Sequence, residues 1–216
     1  MTKYKLVIFD MDGTVLDTLD DLTAATNAAM SAFGFPTHSR DAVRSFVGNG
    51  IAKLIERAVP AGTDAATTAR VLDAFRTYYA AHCTDATRPY DGVCELLLEL
   101  RAAGSLTAVL SNKADFAVKD LAKAYFAGAL DAAVGECAGV PRKPAPDGVL
   151  SLMRAFGVTP AQTAYVGDSD VDVRTAANAG VDGIFVTWGF RDAACLRGAG
   201  ATRIVDDIKA LKTCLL

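Results

Sequence analysis

Four short segments hold side chains whose types and spacing could do chemistry: Asp10-Met11-Asp12-Gly13-Thr14, Ser111-Asn112-Lys113, Lys143-Pro144-Ala145-Pro146 and Gly167-Asp168-Ser169-Asp170-Val171-Asp172. Gathered together, Asp10, Asp12, Asp168 and Asp172 would set four carboxylates against one or two lysines. At an effective dielectric near 20, two carboxylates about 4 Å apart repel by roughly 4 kcal/mol. Such a cluster needs a cation or shared protons. Hard oxygen ligands without His or Cys favour Mg²⁺ over zinc. Mg²⁺ takes one or two carboxylates and fills its shell with water and phosphate oxygens, which suits a phosphate-bearing substrate. Any one of these aspartates alone reads as an ordinary surface acid. Together, with a lysine and Ser-Asn between them, they read as a site.

Residues so far apart in the chain would meet if they stand at the ends of neighbouring strands. Lys5–Phe9, Leu106–Leu110 and Thr163–Val166 read as buried strands, and each runs straight into one of the segments. Gly183–Thr187 is a further strand, Thr202–Val205 a short edge strand, and Ala132–Val134 a weaker one. Helical patterns lie between them: Asp91–Ala103, Ala114–Lys123, Pro146–Phe156 and Ser169–Ala179. Gly104, Gly157 and Gly180 follow three of these where a helix-terminating glycine is expected. Strand and helix in alternation predict an α/β fold with a doubly wound parallel sheet, whose ligands bind beyond the carboxyl ends of the strands.

Residues 17–88 break the alternation. They offer only helical patterns: Leu19–Phe33, a helix capped by Ser39 and running to Phe46, Ile51–Val59, and Asp64–His82. Gly48-Asn49-Gly50 interrupts the set and Arg88–Gly92 reads as the return hinge. The expected organisation is therefore a core of residues 1–16 and 89–216 with an inserted all-helical domain at 17–88.

Composition excludes several classes. The 216 residues are 51% hydrophobic and 22% charged with a formal charge of −3, enough to bury a core and too even for a disordered tail. No basic block suggests nucleic acid as a partner. The longest window without Asp, Glu, Lys or Arg, Leu22–Ser39, is broken by Thr23, Asn27, Ser31, Gly34 and Pro36, so no membrane span is expected. The apolar run Leu6–Phe9 is too short for a secretory signal, which predicts a cytoplasmic chain. Cys83, Cys94, Cys137, Cys195 and Cys214 form no CxxC pair and no disulfide framework. They read as free thiols of a reducing compartment.

FDMDGTVLDT, LSNK, KPAP and VGDSDVD, in this order, resemble the motifs of the haloacid-dehalogenase-like phosphatases over nearly the whole chain. DTLDDLTAATNAAM, VRSFVGNG and VGDSDVDVRTAANAG resemble the phosphoglycolate phosphatases within them. The resemblance implies a Rossmann-like core with a mobile helical cap at the insertion and a two-step phosphoryl transfer. Asp10 would be the nucleophile, forming an aspartyl-phosphate. Asp12 would be general acid toward the leaving oxygen, then general base for water. Thr14, Ser111, the Asn112 backbone and Lys143 would form the phosphate-binding set. Asp10, the Asp12 carbonyl and Asp168 would hold Mg²⁺, with Asp172 behind them. Asp170 would serve as a helix N-terminal acid. Specificity would lie in the cap, with Gly48 and Asn49 in a loop and Arg44 and Lys53 flanking it to meet a second anionic group. Lys113 would supplement the phosphate site or sit at a helix start.

The same residues weigh against relatives. Haloacid dehalogenases lack the second aspartate, phosphonoacetaldehyde hydrolases carry a small residue there, and P-type ATPases carry Thr and need membrane spans. β-Phosphoglucomutases carry a cap His where this chain has Leu22. The expected substrate is a small phosphorylated metabolite, 2-phosphoglycolate first, handled by a monomer or homodimer. Inorganic pyrophosphatase, sugar-phosphate phosphatase and mutase readings use the same core residues. A receiver-type phospho-acceptor domain is the non-enzyme rival, but it places its aspartate on a later strand and has no helical insertion.

Overall fold

The computed structural model describes residues 3–48 and 50–216. In chain order the elements are β1 (Leu6–Phe9), β2 (Leu16–Asp17), α1 (Leu19–Ala32), α2 (Arg40–Phe46), α3 (Ile51–Ala58), α4 (Ala65–His82) and β3 (Arg88–Pro89). They continue with α5 (Val93–Ala102), β4 (Leu106–Ala114), α6 (Asp115–Tyr125), β5 (Ala132–Glu136), α7 (Asp147–Phe156) and β6 (Thr163–Gly167). Then come α8 (Asp170–Ala179), β7 (Asp182–Val186), α9 (Ala193–Gly198), β8 (Ile204–Val205) and α10 (Ile208–Leu215). The chain forms two units, Met1–Leu16 with Pro89–Leu216, and Asp17–Arg88.

The first unit is built on a six-stranded sheet of order β5-β4-β1-β6-β7-β8. Its pairings are parallel throughout. Side chains of β1 alternate between two apolar layers, which is why the strand reads as one unbroken hydrophobic run. Val7 and Phe9 join Val109, Val166 and Ile184 under Leu97, Leu100, Val118 and Leu211. Leu6 and Ile8 join Ala108, Tyr165 and Phe185 under Val149, Leu152 and Val173. After β1 the chain builds one side of the sheet through β4 and β5, then crosses to build β6, β7 and β8 on the other. The crevice at such a reversal, beyond the carboxyl ends of the strands, is where open parallel sheets bind ligands.

The second unit has α1 packed on α2 and α4, α2 on α3, and α3 on α4. Its interior includes Leu22, Met30, Val43, Leu54, Ile55, Val71 and Phe75. Ser39 Oγ caps α2 by accepting from Ala42 N at 3.2 Å, and Asp64 caps α4 by accepting from Thr67 N at 2.9 Å. The buried Asp21 carboxylate accepts the N–H groups of Ala86 and Thr87, both at 2.9 Å, tying the end of the unit to its first helix.

Several elements depart from the sequence expectation. Ser111-Asn112-Lys113 is not a loop but lies within β4, where pairing with β5 shifts register after Leu110 and resumes at Ala114. The pair runs on because Gly135 lets the chains close: a Cβ there would sit 2.5 Å from Asp115 Cα. β2 and β3 form a two-stranded ribbon in a stretch expected to hold no strand. The helices α9 and α10 were not foreseen; each starts on an aspartate, Asp192 and Asp207, that accepts a backbone N–H. Among the described residues no helix is long and apolar enough to cross a membrane.

Candidate active site

The central strand β1 delivers Asp10. Its N–H donates to Val166 O at 2.8 Å, so the neighbouring β6 fixes where the strand ends. The chain then folds on itself around one carbonyl: Thr14, Val15 and Leu16 all donate their N–H to Met11 O. Gly13 makes this possible with φ of 83°, a conformation that side chains disfavour. Space forbids a side chain as well, since a Cβ on Gly13 would lie 2.4 Å from Asp168 Oδ2.

Lys143 is the hub. Its ammonium is buried, 2.8 Å from Asp10 Oδ1, 2.8 Å from Asp172 Oδ1 and 3.1 Å from the Tyr165 hydroxyl. Asp172 has all its oxygens engaged. Oδ1 accepts from Lys143 and from Tyr165 OH at 2.9 Å, and Oδ2 accepts from Ser169 N at 3.1 Å and Ser169 Oγ at 2.5 Å. Ser169 in turn accepts from Asp172 N, so the start of α8 is a capping box that also aims Asp172 at the lysine. Asn112 clamps the Lys143 backbone from the other side, donating from Nδ2 to Lys143 O at 3.0 Å and accepting from Lys143 N at 2.9 Å.

Asp168, fully buried after β6, accepts from Thr14 Oγ1 at 2.9 Å and from Phe190 N at 2.7 Å. Gly189 keeps room for it, as a Cβ there would lie 2.3 Å from both Asp168 Oδ2 and Gly13 O. Carboxylate oxygens of Asp10, Asp168 and Asp172 lie within 4.8 Å of one another. Asp12 stands apart from that trio, its Oδ1 accepting from Lys113 Nζ at 2.7 Å.

Burial and mutual repulsion set the electrostatics. Burial, with the charges of Asp172 and Asp168, holds the Asp10 carboxyl well above the usual range against the pull of Lys143. Burial and Asp172 raise Asp168 to about 7, more than the bonds from Phe190 and Thr14 lower it. Burial works against Asp172 too, but Lys143, Ser169 and Tyr165 outweigh it and hold that carboxyl below the usual range. Burial likewise opposes the charge on Lys143, and Asp10 with Asp172 overcomes it, leaving the ammonium firmly protonated. Two carboxyls forced upward beside each other, each with a hard oxygen to offer, fit a divalent cation. The glycines at 13 and 189 leave Asp168 the space to offer an oxygen to it.

The structure brings Asp10, Asp168, Asp172 and Lys143 together, with Ser111 buried on β4. Ser111 Oγ accepts from Lys113 N at 3.2 Å, which leaves its own proton for a ligand oxygen. Thr14 differs from its expected place among the phosphate ligands: its hydroxyl is 1% exposed and gives its proton to Asp168. Asp170 starts α8 and pairs with Arg174 and, at 3.7 Å, Arg191. Trp188 is held by its indole N–H on Thr14 O at 3.1 Å. In the helical unit Arg44 lies on α2, and Lys53 on α3 is exposed and paired with Glu56. Gly48 O accepts from Arg57 at 3.1 Å, while Asn49 lies outside the described residues. Sequence reasoning missed Tyr165, Ser169 and Arg57, whereas the run Trp188-Gly189-Phe190-Arg191 after a strand reads as packing beside the site. Only Ser169 carried a signal, the Ser-x-x-Asp spacing of a helix cap.

Comparison with known proteins places this geometry. The family model of the haloacid dehalogenase-like hydrolases matches residues 7–186. A phosphoglycolate phosphatase of Pseudomonas putida is 34% identical, over 96% of this chain and 78% of that protein. An N-acetylmuramic acid 6-phosphate phosphatase of Pseudomonas aeruginosa is 31% identical, over 87% of this chain and 84% of that one. A crystal structure from Lactobacillus delbrueckii subsp. bulgaricus, of a protein assigned by inference as a phosphoglycolate phosphatase, is 37% identical, covers 99% of both chains and superposes with a TM-score of 0.95. With a family match spanning most of its length and the carboxylate-bearing loops at the reversal of its sheet, the chain belongs to the haloacid dehalogenase-like hydrolases.

Proposed function

We propose that this hydrolase is a phosphatase of small phosphomonoesters, 2-phosphoglycolate first among them, working through an aspartyl-phosphate on Asp10. The observation that carries the reading is that the two loop carboxylates each have a lysine of their own, Lys143 on Asp10 at 2.8 Å and Lys113 on Asp12 at 2.7 Å. Neighbouring acids in unlike surroundings can take unlike roles.

Lys143 Nζ and Met11 N–H both bond Oδ1 of Asp10, so Oδ2 is the oxygen that attacks phosphorus. The P–O ester bond breaks as Asp12 gives its proton to the leaving oxygen, releasing the alcohol. Asp12, now a carboxylate, takes a proton from water as that water attacks the phosphorus, and the bond to Asp10 breaks to release phosphate. Ser111 O–H, the Asn112 N–H and Lys143 hold the phosphoryl oxygens where charge sits in the transition state. Asp172 and Tyr165 hold Lys143 in place. Asp10, the Asp12 carbonyl and Asp168 would bind Mg²⁺, which supplies positive charge against the phosphoryl group when present.

The unit Asp17–Arg88 is assigned substrate selection as the cap, with Arg44 and Lys53 as the cations for a substrate carboxylate. The names of the relatives support phosphoglycolate. One of them, at 31% identity, is named for a sugar phosphate, which keeps that class as the second reading. Phosphate release from phosphoglycolate, pyrophosphate, hexose phosphates, N-acetylmuramic acid 6-phosphate and nucleoside monophosphates, with Mg²⁺ and with chelator, tests both. The expected result is the highest kcat/KM for phosphoglycolate, lost with chelator. A preference for a sugar phosphate would keep the chemistry and replace the substrate.

A further inference from the structure

We infer that Lys113 is a positioning residue for this reaction, holding the Asp12 carboxyl group in the orientation from which its acid form protonates the leaving oxygen. The inference rests on the acid role proposed for Asp12 and adds what makes that role possible. Asp12 lies on the tight loop after β1, where its backbone bridges to Leu16, and its side chain is 19% exposed. Among the described residues Lys113 is the one side chain that bonds it, from Nζ to Oδ1 at 2.7 Å. With Oδ1 held, Oδ2 is the oxygen that meets the ester.

Lys113 is suited to be a fixed point rather than a mobile surface cation. Its side chain is 6% exposed, and an ammonium taken out of water is costly unless paired. Its backbone is gripped as well, by the N–H bond to Ser111 Oγ at 3.2 Å and by the β4–β5 pairing that resumes at Ala114. The same turn of β4 therefore places Ser111 for the phosphoryl oxygens and Lys113 for the acid. Lys143, the second buried lysine, pairs with Asp10 and Asp172, so the carboxylates at 10 and 12 are held by different lysines. The split explains why the Ser-Asn-Lys run carries a lysine that neither a phosphate contact nor a helix start requires.

A lysine that aims a proton donor matters in proportion to how badly the leaving group needs the proton. Ethyl phosphate leaves as an alkoxide and needs it; 4-nitrophenyl phosphate leaves as a stabilised phenolate and does not. The quantity to read is kcat/KM, which covers steps through cleavage of the ester bond, for both substrates in the same preparation. Their ratio is independent of the fraction of enzyme that folds. Lys113→Met is expected to lower kcat/KM for ethyl phosphate by roughly 10- to 100-fold, the scale of a misplaced general acid. The loss with 4-nitrophenyl phosphate is expected to stay below about 3-fold, since that ester bond breaks without the proton. Lys113→Arg should recover most of the ethyl phosphate rate, and Lys113→Met should add no further change of the ratio in an Asp12→Asn background. Equal losses on both substrates would overturn the inference in favour of a structural role. A rise in KM confined to phosphoglycolate would overturn it in favour of a substrate contact. If Asp12→Asn by itself lowers both substrates alike, it is the acid role of Asp12 that fails, and the inference falls with it.

Discussion

Asp168 is raised to about 7, and Asp10 well above its ordinary range, chiefly because both are buried. A carboxyl whose folded-state pKa lies above its unfolded one keeps more protons in the native state, so stability falls as pH rises from the unfolded value to the folded one. For Asp168 that window runs from the ordinary carboxylate value of 3.8 to about 7. Asp172 is lowered and acts in the opposite sense, but only as pH falls below the ordinary carboxylate range. The metal-free protein is therefore expected to lose stability between about pH 4 and 7, on the order of a few kcal/mol. A divalent cation replaces the protons, so Mg²⁺ should raise Tm more at pH 8 than at pH 5. Thermal melts with Mg²⁺ and with chelator across that range check the sign. Asp10, Asp12 and Asp168 were legible in the sequence because each follows a recognisable apolar strand, and Lys143 because Lys-Pro-Ala-Pro stands just before a helix. The partners of those residues were not: the Tyr165 hydroxyl reaches Lys143 only because β6 turns that side chain to the α7–α8 side, and Phe190 contributes a backbone N–H that every residue type shares.

The elements hold these groups by close approach as much as by hydrogen bonds. A Cβ on Gly189 would meet Asp168 Oδ2, Asp168 Cβ and Gly13 O at 2.3–2.4 Å, and two of those belong to a buried side chain with nowhere to move. Gly189→Ala is expected to destabilise the fold by about 1–3 kcal/mol, the usual cost of overpacking. It should also abolish the Mg²⁺-induced rise in Tm; melts of the variant with and without the metal would show it. The alternation of strands and helices was readable, as were the caps at Ser39 and Asp64, because apolar period and capping residues are local signals. The β4–β5 extension was not, since it depends on Gly135 meeting a backbone 20 positions away. The Asn112 clamp is a consequence of the same geometry: its amide spans to the Lys143 backbone, 31 positions on, and no spacing rule announces that.

All the groups assigned to phosphoryl transfer belong to the unit of Met1–Leu16 with Pro89–Leu216, at the point where the sheet order reverses. That placement follows from topology: strands on either side of the reversal point their carboxyl ends the same way, so the carboxyl end of β4 and the loops after β1 and β6 can converge. The helical unit has its own interior and its own ties, with Asp21 binding the N–H groups of Ala86 and Thr87. Substitutions confined to it should alter which phosphomonoester is taken and leave the chemistry of Asp10 in place. The most direct test of the account is therefore the covalent step itself. The protein would be mixed with substrate and Mg²⁺, quenched in acid within one turnover, and its peptides examined by mass spectrometry. A phosphoryl group on Asp10, absent from a folded and inactive Asp10→Asn variant, is the predicted result. Phosphate release without any phosphorylated Asp10, or substantial turnover by Asp10→Asn, would contradict it.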